Sequence, residues 1–256
     1  MTDRRGADGH DSMATLSVCM ATYNGGRWVR EQLASILRQL GPDDEVVVSD
    51  DGSTDDTLAV VRSFADPRVR VLAGNAFRSP VLNFENALRH ARGDLVTLSD
   101  QDDVWLEGRV ALIRERLAAP GPRVRLVALD AVVTDESGLV TDASLFRKIG
   151  ARPGLLKNVY DNSYVGCCLA FTRPLLELAL PFPANIPMHD MWLGLLAELF
   201  GAVEFVHSPM LAYRRHGANA TSFARKFTPV VQLRRRWVLA TSLARRAVER
   251  RRAVRG

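Results

Sequence analysis

The sequence predicts an α/β protein built on a mostly parallel, doubly wound sheet with helices on both faces. Three observations carry that prediction. Strand-like runs alternate with amphipathic helical stretches from Leu16 to about residue 133. Those runs are almost continuously apolar, as strands covered on both faces require. The composition, 47% hydrophobic and 25% charged over 256 residues, suits one domain with a sizeable core and short appendages.

Each element has its own reason. "LSVCMA" from Leu16 reads as the first strand, and in "GGRWVREQLASILRQL" the residues Val29, Leu33, Ile36, Leu37 and Leu40 share one helical face until Gly41-Pro42 stops it. "EVVVSDD" is the second strand, and "STDDTLAVVRSF" a helix with Ser53 as its N-cap and Asp56 in a capping-box position. "VRVLA" is the third strand, Pro80 to Ala91 a helix, "DLVTLSD" the fourth strand, 105–118 a helix and "RLVALDAVV" a further strand. Beyond about residue 140 the alternation loosens. "SYVGCCLAFT" reads as a strand, "RPLLELAL" as a short helix, "MWLGLLAELFG" as a helix ending at Gly201, and "VEFVHSPMLAYRRHG" as further short strands. Thr228-Pro229 then opens a basic helix, Thr as cap and Pro at the first helical position.

Charge is unevenly spread. The chain carries +5, but from Arg225 onward there are eleven Lys/Arg and one acid, a local +10 that leaves −5 for the first 224 residues. A basic tail on an acidic body argues against a nucleic-acid-binding domain. Within the tail, Val230, Leu233, Trp237, Ala240, Ala244 and Ala247 recur at three- and four-residue steps with arginines flanking them, the pattern of a basic amphipathic helix on anionic lipid. No stretch approaches the ~18 apolar residues of a membrane span. Cys19, Cys167 and Cys168 lie in apolar runs without zinc spacing and read as buried thiols suited to a reducing cytosol. The expected organisation is a disordered leader at 1–13, a catalytic domain at 14–224 with halves at 14–120 and 121–224, and the basic helix at 225–256.

Ligands of open α/β sheets bind beyond the carboxyl ends of the strands. Three such ends carry chemistry here: "ATYNGG", "SDDGSTDD" and "SDQDDVW". The first two could be only turns and caps. Asp100, Asp102 and Asp103 exceed what capping one helix uses, and like charges so close need a positive partner. A Mg²⁺ or Mn²⁺ ion carrying a diphosphate would be one. Asp190 precedes an apolar helix after the Pro-interrupted "NIPMH"; it is either a plain N-cap or a general base facing a crevice. His216, beside Arg214 and Arg215, is a candidate for a phosphate or metal contact.

Taken together, "LSVCMATYNGGRWVREQLASILRQL", "EVVVSDDGSTDDT" and "LSDQDDVW" resemble the inverting glycosyltransferases of family 2, with the GT-A fold, and most closely a bacterial rhamnosyltransferase-like branch. The resemblance covers about residues 14–220. It implies that Thr22, Tyr23, Asn24 and Asp51 hold the nucleotide, with Arg78 helping, and that Asp100, Gln101 and Asp103 sit on the nucleotide-sugar side. It implies Asp102 as the D-x-D metal ligand, joined by His216, and Arg214 on the diphosphate under a closing segment "YRRHGANAT". Gly166, Cys167 and Trp192 would line the acceptor side, and Asp190 would be the base. The donor would be a dTDP- or UDP-linked sugar, rhamnose a candidate, and the acceptor a saccharide or lipid-linked hydroxyl. The enzyme would work in the cytoplasm, at the inner face of the cell membrane. Two features depart from the branch: Met191 stands between Asp190 and Trp192, and "GNAFRSPVLNF" lacks a glycine that relatives carry after the third strand. Two rivals remain at this point. A sugar-1-phosphate nucleotidyltransferase should open with a longer Gly-rich basic loop than "ATYNGGRW", and no G-x-x-x-x-G-K-[ST] loop is present. A non-catalytic membrane-surface binder on a transferase scaffold would not need the carboxylates.

Overall fold

The computed structural model describes residues 13–217 and 228–255. All but Met13 of the expected leader, and most of "GANAT" in the expected closing segment, lie outside the described residues. The chain runs β1 (Leu16–Thr22), α1 (Val29–Leu37), β2 (Glu45–Asp50), α2 (Thr57–Arg62), β3 (Val69–Leu72), α3 (Pro80–His90) and β4 (Leu95–Ser99). It continues through β5 (Val104–Trp105), α4 (Arg109–Ala118), β6 (Arg125–Thr134), β7 (Val140–Asp142), α5 (Leu145–Ile149) and α6 (Leu155–Tyr160). β8 (Leu169–Thr172), α7 (Arg173–Ala179), α8 (His189–Phe200), β9 (Ala202–Arg214) and α9 (Pro229–Arg255) complete it.

Among the described residues nine strands form one sheet, in the order β3-β2-β1-β4-β8-β6-β9-β5, with β7 paired to β6. β1 runs parallel to both β2 and β4, so their carboxyl ends share one edge. β8 is antiparallel to β4 and to β6, which makes the sheet mixed at its middle. Leu16, Val18, Met20, Val46, Val48, Val96 and Leu98 are fully buried between helices on both faces, each contributing about 1.5–3 kcal/mol by transfer out of water. α1 buries Val29, Leu33 and Ile36 against them, the face its spacing predicts.

Several element expectations are corrected. The second helix starts at Thr57, not at Ser53, because Asp50 captures Ser53 through its backbone N–H (2.9 Å) and hydroxyl (2.6 Å). Val104–Trp105 pair with β9, and α4 begins only after Gly108 at φ 84°. Residues Gly166–Cys168 wind into a 3-10 turn, so the strand there is only β8. The short strands expected after Gly201 form one 13-residue strand, β9, bent by register shifts against Leu129–Val132 of β6.

The basic helix exists and lies on the body. Its Leu239 and Leu243 are buried against the body. Arg246 donates to the carbonyls of Leu178, Leu180 (3.0 Å) and Pro181 (2.7 Å). Trp237 does not dock; it is 70% exposed. No helix among the described residues is long and apolar enough to cross a membrane.

Candidate active site

The shared edge of β1, β2 and β4 brings the three chemically loud turns together, and side chains then knit them. Thr22, at the end of β1, donates to Asp50 Oδ1 (2.8 Å). Gln101 closes a reciprocal amide pair, its Oε1 accepting from Tyr23 N–H (2.9 Å) and its Nε2 donating to Tyr23 C=O (3.0 Å). A side chain at position 25 would strike that amide, with a Cβ only 2.1 Å from Gln101 Oε1, so it would have to push the amide aside and break the reciprocal pair with Tyr23. Asn24, at φ 48°, turns its amide oxygen to the Thr54 N–H (2.8 Å). Asp51 accepts from the backbone N–H groups of Phe77, Arg78 and Ser79, folding that loop over the crevice rim. Gln101 and Asn24 therefore build the site, while Tyr23, 58% exposed, and the exposed Arg78 face solvent at its mouth.

The carboxylates crowd together as expected. Ligand atoms of Asp100, Asp103 and Cys167 all lie within 4.8 Å of one another. Asp103 Oδ1 accepts from Arg214 N–H (3.0 Å), while its Oδ2 is buried with no hydrogen-bond partner among the described residues. Burial, then the charges of Asp102 and Asp190, push Asp100 up to about 7. Burial, then Asp102 and Asp100, hold Asp103 well above the carboxylate range. Without a cation the cluster keeps protons, which is the electrostatic cost of gathering three acids at one point.

The end of β9 closes the site from the other side. His216 Nε2 stands 2.8 Å from Asp102 Oδ2, and its ring stacks on Trp28 at 5.5 Å. The Arg214 guanidinium lies over the same indole (4.6 Å) and donates to Glu31 (2.6 Å). Two adjacent donors on one ion, each bonded at about 2.1 Å, stand about 3 Å apart, so the Asp102–His216 pair fits a shared divalent cation. Carboxylate oxygen and imidazole nitrogen suit Mg²⁺ or Mn²⁺, whereas the Cys167 thiol suits softer metals. The pair expected from sequence, not the Asp100–Asp103–Cys167 cluster, is thus the better chemical match.

Asp190 sits in the first turn of α8, 7% exposed, with Asn162, the Gly166 N–H and the Met191 N–H around its carboxylate. Burial pushes it up to about 7. Its neighbour His189 is buried against Phe84 (4.3 Å) with neither ring nitrogen hydrogen-bonded among the described residues, and burial holds it neutral, down to about 3. Gly166 faces that imidazole; a Cβ there would lie 2.9 Å from His189 Nε2.

Two acceptor-side expectations are corrected. Trp192 is fully buried and donates from Nε1 to Ala179 C=O (3.1 Å), which makes it core; two residues beyond Asp190 along the helix, it points the other way. Cys167 is turned under the carboxylates, its buried sulfur within 4.8 Å of an oxygen of Asp100 and of Asp103. Sequence reasoning also missed Asn162, Glu31 and Trp28. The short spacing of Trp28 and Glu31 after Gly25-Gly26 was the available clue. Arg235 of α9, which donates to Pro187 C=O (3.2 Å) just before α8, had none, since its place depends on how the tail docks.

A parallel-centred sheet whose strand ends gather acids, with a further carboxylate across the crevice, has the GT-A fold found among glycosyltransferases. The chain belongs to glycosyl transferase family 2, whose family profile matches residues 17–177. It is 33% identical over 129 residues to the succinoglycan biosynthesis protein ExoO of Rhizobium meliloti (50% of this chain, 37% of that one). It is 25% identical over 247 residues to the dTDP-rhamnosyl transferase RfbG of Shigella flexneri (85% and 80%). Over 97 residues it is 28% identical to WfgD of Escherichia coli, a UDP-Glc:alpha-D-GlcNAc-diphosphoundecaprenol beta-1,3-glucosyltransferase (38% of each). The crystal structure of S. aureus TarS 1–349 with UDP-GlcNAc superposes with a TM-score of 0.65 at 21% identity, covering 83% of this chain and 62% of that one. The chain thus spans well under half of ExoO and WfgD but four-fifths of RfbG.

Proposed function

We propose that the protein is a metal-dependent, inverting transferase that moves a sugar from a nucleotide-diphosphate donor to a hydroxyl of a saccharide or lipid-linked acceptor. The observation that carries this is the juxtaposition of Asp190 with the Asp100–Asp103 turn, a single buried carboxyl group whose charge Asp100 feels across the crevice. The nucleotide lies along Thr22, Tyr23 and the loop that Asp51 organises, with Asp100 beneath the ribose and Arg78 at the rim. Asp102 and His216 would hold a Mg²⁺ or Mn²⁺ ion, which supplies positive charge to the departing diphosphate. Arg214, held between Trp28 and Glu31, adds a fixed cation on the same side.

Asp190, ionised, accepts the proton of the acceptor hydroxyl. That oxygen bonds the anomeric carbon from the face opposite the leaving group, and the carbon–oxygen bond to the diphosphate breaks with its electron pair leaving on the nucleotide. RfbG, matched over most of both chains, favours a dTDP-linked rhamnose as donor, and WfgD favours an undecaprenol-diphosphate-linked acceptor and hence work at the inner membrane face. A panel of nucleotide sugars, read by diphosphate release with and without EDTA, tests the reading. It predicts one preferred donor whose turnover EDTA abolishes. Turnover indifferent to EDTA would remove the metal, and release of inorganic pyrophosphate from a nucleoside triphosphate plus sugar phosphate would favour the nucleotidyltransferase instead.

A further inference from the structure

α9 has two faces of opposite use. Leu239, Leu243, Arg246 and Arg235 hold it to the body. Half a turn away, Val230, Leu233 and Trp237 are 77, 69 and 70% exposed, and Ala240, Ala244 and Val248, also exposed, extend the same stripe. A helix that already has its docking face does not need a second apolar one for folding. α6 widens the patch. Leu156 and Tyr160, four residues apart on one face, are 84 and 74% exposed. The two helices join at Tyr160, whose ring lies 4.2 Å from the Arg236 guanidinium and whose carbonyl accepts from it (3.3 Å).

We infer that the outer face of α9, together with Leu156 and Tyr160 of α6, is a binding surface for anionic phospholipid bilayers. Charge selects this occupant. Arg234 and Arg245 along one flank of the stripe and Arg251 at its C-terminal end are exposed, within a tail of +10 on a body of −5. A second copy pairing through the same face would bring two +10 helices together, whereas an anionic surface neutralises them. A nucleic acid would answer the charge but leave the apolar stripe in water. Burying aromatic and aliphatic side chains at the headgroup boundary with arginines beside them is how interfacial helices bind. The surface adjoins the catalytic side, since Arg235 of the same helix bonds Pro187 C=O at the entry to α8 and Asp190. A lipid-linked acceptor confined to the bilayer would therefore meet the base without leaving its plane. Only this last purpose rests on the proposed reaction; the binding itself does not.

Co-sedimentation of the full chain with phosphatidylcholine vesicles, with and without phosphatidylglycerol, tests the surface. The expectation is a preference of about tenfold or more for the anionic vesicles, diminished by salt. Leu233→Glu with Trp237→Glu, both outward, should abolish pelleting while circular dichroism, melting temperature and turnover on a water-soluble acceptor stay as in the wild type. Arg234→Glu with Arg245→Glu should erase the anionic preference. Equal pelleting with neutral and anionic vesicles overturns the inference. So does undiminished binding by the Leu233/Trp237 variant, or a dimer in solution that this variant dissolves while the wild type ignores vesicles. Because pelleting needs no turnover, an inactive protein that still binds lipid would fail the proposed reaction and not this surface.

Discussion

Replacing Asp190 by Asn separates the chemistry of the base from the stability of the fold, because the two should move in opposite directions. Burial raises this carboxyl from its ordinary 3.8 to about 7. The native state thus binds the proton more tightly than the unfolded chain, so stability is greatest in acid and falls as pH rises from about 4 through 7. At 1.36 kcal/mol per pH unit, the cost of ionising Asp190 in the native state reaches about 4 kcal/mol above pH 7. Asn has no proton to lose and keeps an acceptor for the Met191 and Gly166 N–H groups. The variant should therefore be more stable than the wild type by up to about 4 kcal/mol at pH ~8, roughly 10 °C in melting temperature for a chain of this length, with little gain near pH 4. Turnover at pH ~8 should nevertheless fall by about 10²–10⁴-fold, with donor affinity little changed. Paired thermal melts in EDTA and nucleotide-release kinetics check both halves. A variant less stable than the wild type at pH ~8 would mean that the native site already satisfies the carboxylate, refuting the proton-binding argument. Retained turnover would remove Asp190 as the base.

Wild-type kcat/KM should fall about tenfold per pH unit below about 7, where Asp190 takes up its proton, and Arg235→Ala should move that limb to higher pH, because burial raises this carboxyl and the Arg235 charge opposes the rise; a pH–rate profile of both proteins decides it. Asp102→Asn should lower turnover by about 10²-fold or more and abolish Mn²⁺ binding measured by calorimetry, while the fold survives, since Asn can still bond His216. Trp192→Ala should cost about 3–5 kcal/mol of stability by urea unfolding without changing acceptor KM in the folded fraction, as befits a core residue.

The sheet and the acidic turns were legible in the sequence because each rests on a local pattern. Apolar runs of strand length alternate with 3.6-residue periodicity, and three acids after "LVTLS" exceed any capping need. What was not legible depends on rotation and docking. Trp192 lies two residues beyond Asp190 on α8, and periodicity alone does not say which of the two faces the crevice. Ser53 looks like a helix cap until Asp50, from the preceding strand, takes its hydroxyl. The apolar stripe of α9 was readable, but that Leu239 and Leu243 would dock and leave it outward was decided by the body they meet.

The place of β8 bears on synthesis as well as on shape. β4 ends at Ser99, yet its neighbour on one side is Leu169–Thr172, and β5 at Val104–Trp105 pairs with Leu211–Ala212. A nascent chain that has emerged only to residue 120 therefore carries β4 with one edge bare and β5 without any partner strand. Such an edge is open to pairing with other chains until about fifty more residues have followed, some seconds at ordinary rates of elongation. The first 120 residues thus depend on those that follow for the closure of their sheet, and a fragment ending at residue 120 is expected to aggregate or recruit a chaperone while the full chain folds cooperatively.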